Sequence, residues 1–186
     1  MITKQTITIV GASGSTGTAI SSSLLRGNYR LLLCGSDLAE VQKVVDAVKR
    51  HIAAAEVEAL DCTLDACWEA DIIVLAVPFA EVQEVADRIR EVVNQKVVIS
   101  LASPQDNAHD APATGVVAEL QKLLPYAKAV RVSANPFTGS KPAEAFIAGD
   151  DAEALQTVSE LVSTAGYRPV VAGAGTTDAS ATEGKV

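Results

Sequence analysis

The chain has 186 residues, 48% of them hydrophobic but only 4% aromatic, and a formal net charge of −8. That length fits one domain whose core is built from Val, Ile, Leu and Ala, as suits a parallel sheet covered on both faces. Scattered Lys and Arg give no basic stripe for nucleic acid, and no apolar run reaches the roughly 18 residues of a membrane-spanning helix.

No apolar leader precedes the first strand, so the sequence reads as cytoplasmic. Cys34, Cys62 and Cys67 lack a metal-ligand spacing and are expected to be structural. In chain order, Thr6–Val10 predicts a strand and Thr16–Arg26 a helix that Gly27 ends. Tyr29–Cys34 predicts a second strand. Asp37 is placed to cap a helix running to about Arg50, with Leu38, Val41, Val44, Val45 and Val48 at helical spacing. Val57–Leu60 is a weak strand and Leu64–Glu69 a short helix. Ile72–Val77, the most strand-like segment, is closed by Pro78.

The alternation continues with a helix over Ala80–Val93, a strand over Lys96–Leu101 and a loop from Ser103 to Pro112. A helix over Ala113–Leu124 is stopped by Pro125, and a strand over Ala127–Val132 leads to the polar turn Asn135–Lys141. A short strand Ala145–Ala148, a helix Asp151–Ala165 and a last strand Tyr167–Ala172 follow. This order predicts an α/β Rossmann domain over residues 1–172, a doubly wound, mostly parallel sheet with helices on both faces. Residues 173–186 read as a flexible polar tail.

The turn Gly11-Ala12-Ser13-Gly14-Ser15-Thr16-Gly17 lies between the first strand and the first helix, where a phosphate-binding loop is expected. Gly11 permits the sharp turn, Gly14 lets a pyrophosphate approach the backbone, and Gly17 lets the helix pack closely on the sheet. Free amides over Ser13 to Thr16 and the positive end of the helix dipole favour an anion. After the second strand, Ser36 and Asp37 stand where an acid accepts from ribose hydroxyls; Asp37 reads equally as a helix cap. A Tyr with Lys four residues later is absent, since Tyr29, Tyr126 and Tyr167 are followed at that spacing by Leu33, Val130 and Val171.

Other candidates have simpler readings. His51 ends a predicted helix and His109 lies in a polar loop, so both are expected at the surface. Asp61, Asp65 and Glu69 read as solvated turn and helix-end residues. Trp68 is expected to pack against the sheet, with adenine stacking as the alternative. Ser103–Pro112 reads as a lid or as a loop with no role.

Six segments in order resemble the NADP oxidoreductase, coenzyme F420-dependent family. They are the glycine turn, Ala70-Asp71-Ile72-Ile73-Val74-Leu75-Ala76-Val77-Pro78-Phe79, Lys96-Val97-Val98-Ile99-Ser100, Ala134-Asn135-Pro136-Phe137, Gly149-Asp150-Asp151 and Tyr167-Arg168-Pro169-Val170. The Val-Pro-Phe element also resembles pyrroline-carboxylate reductases and 6-phosphogluconate dehydrogenase-like domains. The resemblance implies NADP or NAD lying across the carboxyl ends of the strands, with its adenosine phosphate near Ser36 and Asp37. Val77, Pro78, Phe79 and Leu101 would line the middle. Coenzyme F420, a flavin or another small-molecule acceptor would lie beside Ser133, Asn135, Pro136 and Phe137.

Departures from the family pattern shape the expectations. Asp37 stands where an Arg is usual and Val41 where a basic residue is usual, while Lys43 remains in reach, so NADP and NAD both stay open. Ser133 replaces a His found in some relatives. Thr176-Thr177-Asp178-Ala179-Ser180 replaces an apolar helical extension, which leaves a non-catalytic dinucleotide sensor as the second reading. A homodimer would cover the acceptor side.

Overall fold

The computed structural model describes residues 4–102, 113–134 and 143–172. The chain alternates β1 (Gln5–Val10), α1 (Ser15–Leu24), β2 (Tyr29–Cys34), α2 (Leu38–His51), β3 (Val57–Ala59), α3 (Thr63–Glu69) and β4 (Ile72–Leu75). It continues through α4 (Phe79–Ile89), β5 (Val97–Ser100), α5 (Ala113–Leu123), β6 (Lys128–Ala134), β7 (Glu144–Gly149), α6 (Ala152–Thr164) and β8 (Arg168–Val171). The eight strands form one sheet in the order β3-β2-β1-β4-β5-β6-β7-β8, a Rossmann arrangement. All neighbours are parallel except β6 and β7.

Strand alternation divides the core. Ile7, Ile9, Leu31, Leu33, Ile72, Val74 and Ile99 pack with Leu24 of α1, Val41 and Val45 of α2, and Val158 and Leu161 of α6. On the other face Val10, Ile73, Leu75 and Val98 meet Cys67 of α3, Val82 and Ile89 of α4, and Leu120 of α5. The continuous apolar strands follow from this double burial, because neither face meets water. Thr8 of β1 is buried too, and its hydroxyl donates to the Ala66 carbonyl at 2.8 Å.

Several boundaries differ from the sequence expectation for visible reasons. β4 stops at Leu75; the Ala76 amide makes the last ladder bond, to the Val10 carbonyl at 2.8 Å, before Ala76 and Val77 come up against Gly11. α4 ends at Ile89 rather than running to Val93, and the Val92 amide closes a turn onto the Ile89 carbonyl at 3.0 Å. β6 runs on to Ala134, because the antiparallel β7 supplies partners along its final residues.

The register aligns the carboxyl ends of the strands. Cys34, Val10, Leu75, Ser100 and Arg131 stand side by side in one row across β2, β1, β4, β5 and β6. The strand order reverses between β1 and β4, so the crevice for a ligand opens above Val10 and Leu75.

Candidate dinucleotide site

The glycine turn is fastened from below. The amides of Gly11 and Ala12 both donate to the Cys34 carbonyl at 2.9 Å. Gly11 has φ +84, and a Cβ there would lie 2.6 Å from the Ala76 carbonyl oxygen and 2.9 Å from Val77 Cγ1. A Cβ on Gly17 would lie 2.2 Å from the Gly11 carbonyl oxygen. Tight packing of the fold therefore requires both glycines.

Gly14 is different. Its φ of −70 and ψ of 165 suit any residue, and a Cβ would meet only the Gly11 carbonyl oxygen, at an ordinary 3.4 Å. The space above it is open, as a group approaching the backbone requires.

Gly14 is the N-cap of α1, which has neither a side-chain cap nor an acid in its first turn. Among the described residues, no backbone carbonyl takes the amides of Ser15, Thr16 or Gly17. Thr18 braces the turn through its hydroxyl to the Ala12 carbonyl at 3.1 Å and its amide to the Gly14 carbonyl at 2.9 Å. Ser13, Gly14, Ser15 and Thr16 are exposed above these amides. By contrast, Asp37 caps α2 with Glu40 in its first turn, and Asp151 caps α6 with Glu153.

The end of β2 lies beside the turn. A Cβ on Gly35 would come within 3.2 Å of Ser13 Oγ and 2.8 Å of Val41 Cγ2. Asp37 Oδ1 accepts from the amides of Ala39 and Glu40 at 2.8 and 3.2 Å, so the capping role is present. Ser36 and Asp37 are exposed. Val41 is fully buried, which explains its apolar identity. Lys43 is held by Glu40 at 2.6 Å, and that hydrogen bond raises its pKa.

On the other side of the crevice, Val77 is buried against Gly11, Pro78 is exposed at the start of α4, and Phe79 is half-buried. Phe79 helps line a cavity of about 160 Å³ with Gln83, Ser100, Val116 and Glu119. Leu101 faces a larger apolar cavity of about 440 Å³ that begins at Ser15 and Thr16 and passes Ile99 and Val132 to Leu161 and Tyr167. Ser133 is half-buried near the end of β6, opposite Phe146 of β7. Asn135, Pro136, Phe137, His109, the Ser103–Pro112 loop and the tail over 173–186 lie outside the described residues.

Trp68 corrects the expectation of sheet packing. It is 69% exposed near the end of α3, because Ala66 and Cys67 form that helix's buried face. It does not reach the adenosine side either: Lys96, immediately before β5, donates to the Cys67 and Trp68 carbonyls at 2.8 and 2.5 Å, at the opposite edge of the sheet. Glu69 pairs with Arg30 at 2.9 Å, while Asp61 and Asp65 are exposed. His51 is exposed as the last residue of α2.

Two residues at the edge escaped the sequence reading. Ser100 and Arg131 are both buried in the row of strand ends. The available signal was an arginine inside the apolar run Ala129-Val130-Arg131-Val132.

Burial pushes the thiols of Cys34 and Cys67 up to about 12, whereas Cys62 is exposed. No group of three metal-ligating side chains occurs among the described residues. Iodoacetamide at pH 8 is therefore expected to label Cys62 alone in the folded protein and all three cysteines after denaturation. Peptide mapping reads the result, and native labelling of Cys34 would contradict its burial. No helix among the described residues is long and apolar enough to cross a membrane.

A strand, a glycine turn and an uncapped helix at the switch point of this sheet define a Rossmann-type dinucleotide-binding domain. The family model for NADP oxidoreductase, coenzyme F420-dependent, matches residues 6–104. The chain belongs to that family, and with it to the NAD(P)-binding oxidoreductases.

No curated protein sequence matches the chain. Among solved structures it is similar to a candidate F420-dependent NADP reductase from Arthrobacter sp. FB24, with a TM-score of 0.71 and 17% identity over 89% of this chain and 82% of that one. It is also similar to a pyrroline carboxylate reductase from Plasmodium falciparum with NADP bound, with a TM-score of 0.65 and 14% identity over 90% of this chain and 57% of that one. An imine reductase variant from Myxococcus stipitatus in complex with NAD+ gives a TM-score of 0.69 and 17% identity over 91% of this chain and 55% of that one. The chain thus spans little more than half the length of these last two proteins. At such identities the likeness is one of fold.

Proposed function

We propose that the protein binds NADP or NAD across the carboxyl edge of the sheet and transfers hydride between the nicotinamide and a deazaflavin, a flavin or a small carbonyl acceptor. The observation that carries this reading is the start of α1. It offers three free amides and no competing acid, beneath a glycine that the local backbone does not require. That cradle fits a pyrophosphate. Ser13, Ser15 and Thr16 would add hydroxyl donors, and Ser36 and Asp37 would border the adenosine end. Val77, Pro78, Phe79 and Leu101 would line the middle of the dinucleotide.

The nicotinamide supplies the hydride chemistry that side chains lack. The chain's own work is to orient two rings and keep water out, which the apolar wall over Ile99, Leu101 and Val132 suits. The acceptor would lie toward Ser133 and the segment containing Asn135, Pro136 and Phe137. A non-catalytic dinucleotide sensor is the second reading, favoured by the absence of an acid–base pair beside the turn among the described residues.

NADPH mixed with coenzyme F420 or a flavin is expected to lose its 340 nm absorbance in the presence of the protein. Tight NADPH binding with no turnover on any acceptor would favour the sensor, and no dinucleotide binding would reject both readings.

Asp37 governs the choice between dinucleotides, because its carboxylate would repel a 2′-phosphate and accept from ribose hydroxyls. The wild type is expected to prefer NADH. Asp37→Arg should move the ratio of affinities toward NADPH by about tenfold or more, corresponding to about 1.4 kcal/mol. Asp37→Asn retains the helix cap and separates charge from capping. Parallel fluorescence titrations with the two dinucleotides measure the shift, and an unchanged ratio in Asp37→Arg would place Asp37 outside the pocket.

A further inference from the structure

Arg131 stands in the row that closes the carboxyl edge of the sheet, between Ser100 of β5 and Ala148 of β7. Residues in register share a face. Ser100 lines the small cavity with Phe79, Gln83 and Glu119, so Arg131 faces the α4 and α5 side. Ala129, two residues earlier on the same face, packs in the α4 and α5 core. Ser133, two residues later, carries that face toward the acceptor side.

Arg131 as a residue is only 7% exposed, and its buried Nε has no hydrogen-bond partner. Among the described residues no carboxylate pairs with it. Desolvation lowers its pKa, but an arginine remains charged inside a protein. Burying an unpaired cation opposes folding, and an apolar side chain would serve the core better. Such a group at a ligand edge has the character of a binding site.

The ligand in question is an anion. A planar guanidinium grips a carboxylate or phosphoryl group through two parallel hydrogen bonds. The Ser100 hydroxyl oxygen already accepts from the Ala102 amide at 3.3 Å, which leaves its O–H to donate alongside Arg131. Strands lie about 4.8 Å apart, so three steps separate Arg131 from β1 by roughly 14 Å. That is too far to serve a pyrophosphate on the glycine turn, and it places the anion in the acceptor half of the crevice.

We infer that Arg131, with Ser100, anchors an oxyanion carried by the hydride acceptor, so that the second substrate is an anionic molecule. The inference rests on the proposed hydride transfer and specifies the class of its acceptor. Carboxylate and phosphoryl groups share the required chemistry.

The test uses the full chain saturated with NADPH and titrated separately with pyruvate and with inorganic phosphate, against chloride at matched ionic strength. Thermal melting and fluorescence are followed in the wild type, Arg131→Met and Arg131→Lys. At least one of the two oxyanions should bind the wild type and raise its Tm, and the one that does so identifies the source. Arg131→Met should weaken that binding about 10- to 100-fold, with Arg131→Lys between the two. NADPH affinity should be the same in all three proteins. In plain buffer Arg131→Met should melt at or above the wild-type temperature, because an unpaired buried charge has been removed.

Equal oxyanion binding by wild type and Arg131→Met would overturn the inference. So would wild type that binds NADPH but neither oxyanion, or an Arg131→Met protein that melts lower because the chain itself uses the guanidinium. Failure of the wild type to bind either NADPH or NADH is a separate result, which rejects the dinucleotide reading.

Discussion

Gly14→Asp is expected to abolish dinucleotide binding while raising stability. The position is the N-cap of α1 in extended backbone, and a Cβ there has ordinary clearance. An aspartate can take the amides that α1 leaves free, as Asp37 and Asp151 do for α2 and α6. Relative to glycine that gain is a few tenths of a kcal/mol, and the favourable dipole adds about 0.5 kcal/mol, so Tm should rise by about 2 °C. The same carboxylate would occupy the anion's place and repel it. Affinity for NADH and NADPH should fall at least about 100-fold, or about 2.7 kcal/mol. Stability and binding then move in opposite directions, which a damaged fold does not produce. Melting curves and fluorescence titration on the same samples decide the matter, and undiminished affinity would show that the amides of α1 are not the phosphate site.

Gly17→Ala should act in the reverse manner, by damaging the fold itself. The added methyl would lie 2.2 Å from the Gly11 carbonyl oxygen, 2.7 Å from Ala12 Cα and 2.9 Å from the Gly11 carbonyl carbon. All three are backbone atoms, and the turn that holds them is tied to Cys34 by two hydrogen bonds. No rotamer relieves the clash. Forcing apart a packed turn and helix costs about 3 kcal/mol, and the expected fall in Tm is roughly 6–12 °C. Thermal denaturation without ligand measures it. A Tm within 1 °C of wild type, about the scatter of a neutral surface change, would mean that α1 does not approach the turn this closely.

These two glycines show how far a motif can be read from sequence. Spacing and context marked Gly11, Gly14 and Gly17 as a phosphate loop, but the three carry different constraints. Gly11 and Gly17 answer to packing, whereas at Gly14 the fold leaves room for a side chain and sets no such requirement. Asp37 was balanced between cap and ribose partner, and the capping hydrogen bonds are present while the carboxylate stays exposed. Trp68 was misplaced, because in a helix of only seven residues the buried face is set by the sheet beneath it rather than by the hydrophobicity of each side chain. Arg131 was passed over because a charge in an apolar strand has no meaning until its neighbours are known.

The sequence by itself determined the α/β class, the order of elements and the position of the glycine turn. Those rest on local physics: apolar runs that cannot face water, caps that end helices, and backbone angles that only certain residues adopt. Tertiary structure alone decided that β7 runs against β6, that the ends of five strands align into one row, and that Ser100 meets Arg131 there. Sheet order and register arise from burial and hydrogen bonding between segments far apart in the chain, and no local pattern encodes them. For the same reason the glycine turn was legible early, while the surroundings of Arg131 emerged only from the pairing of β5 with β6.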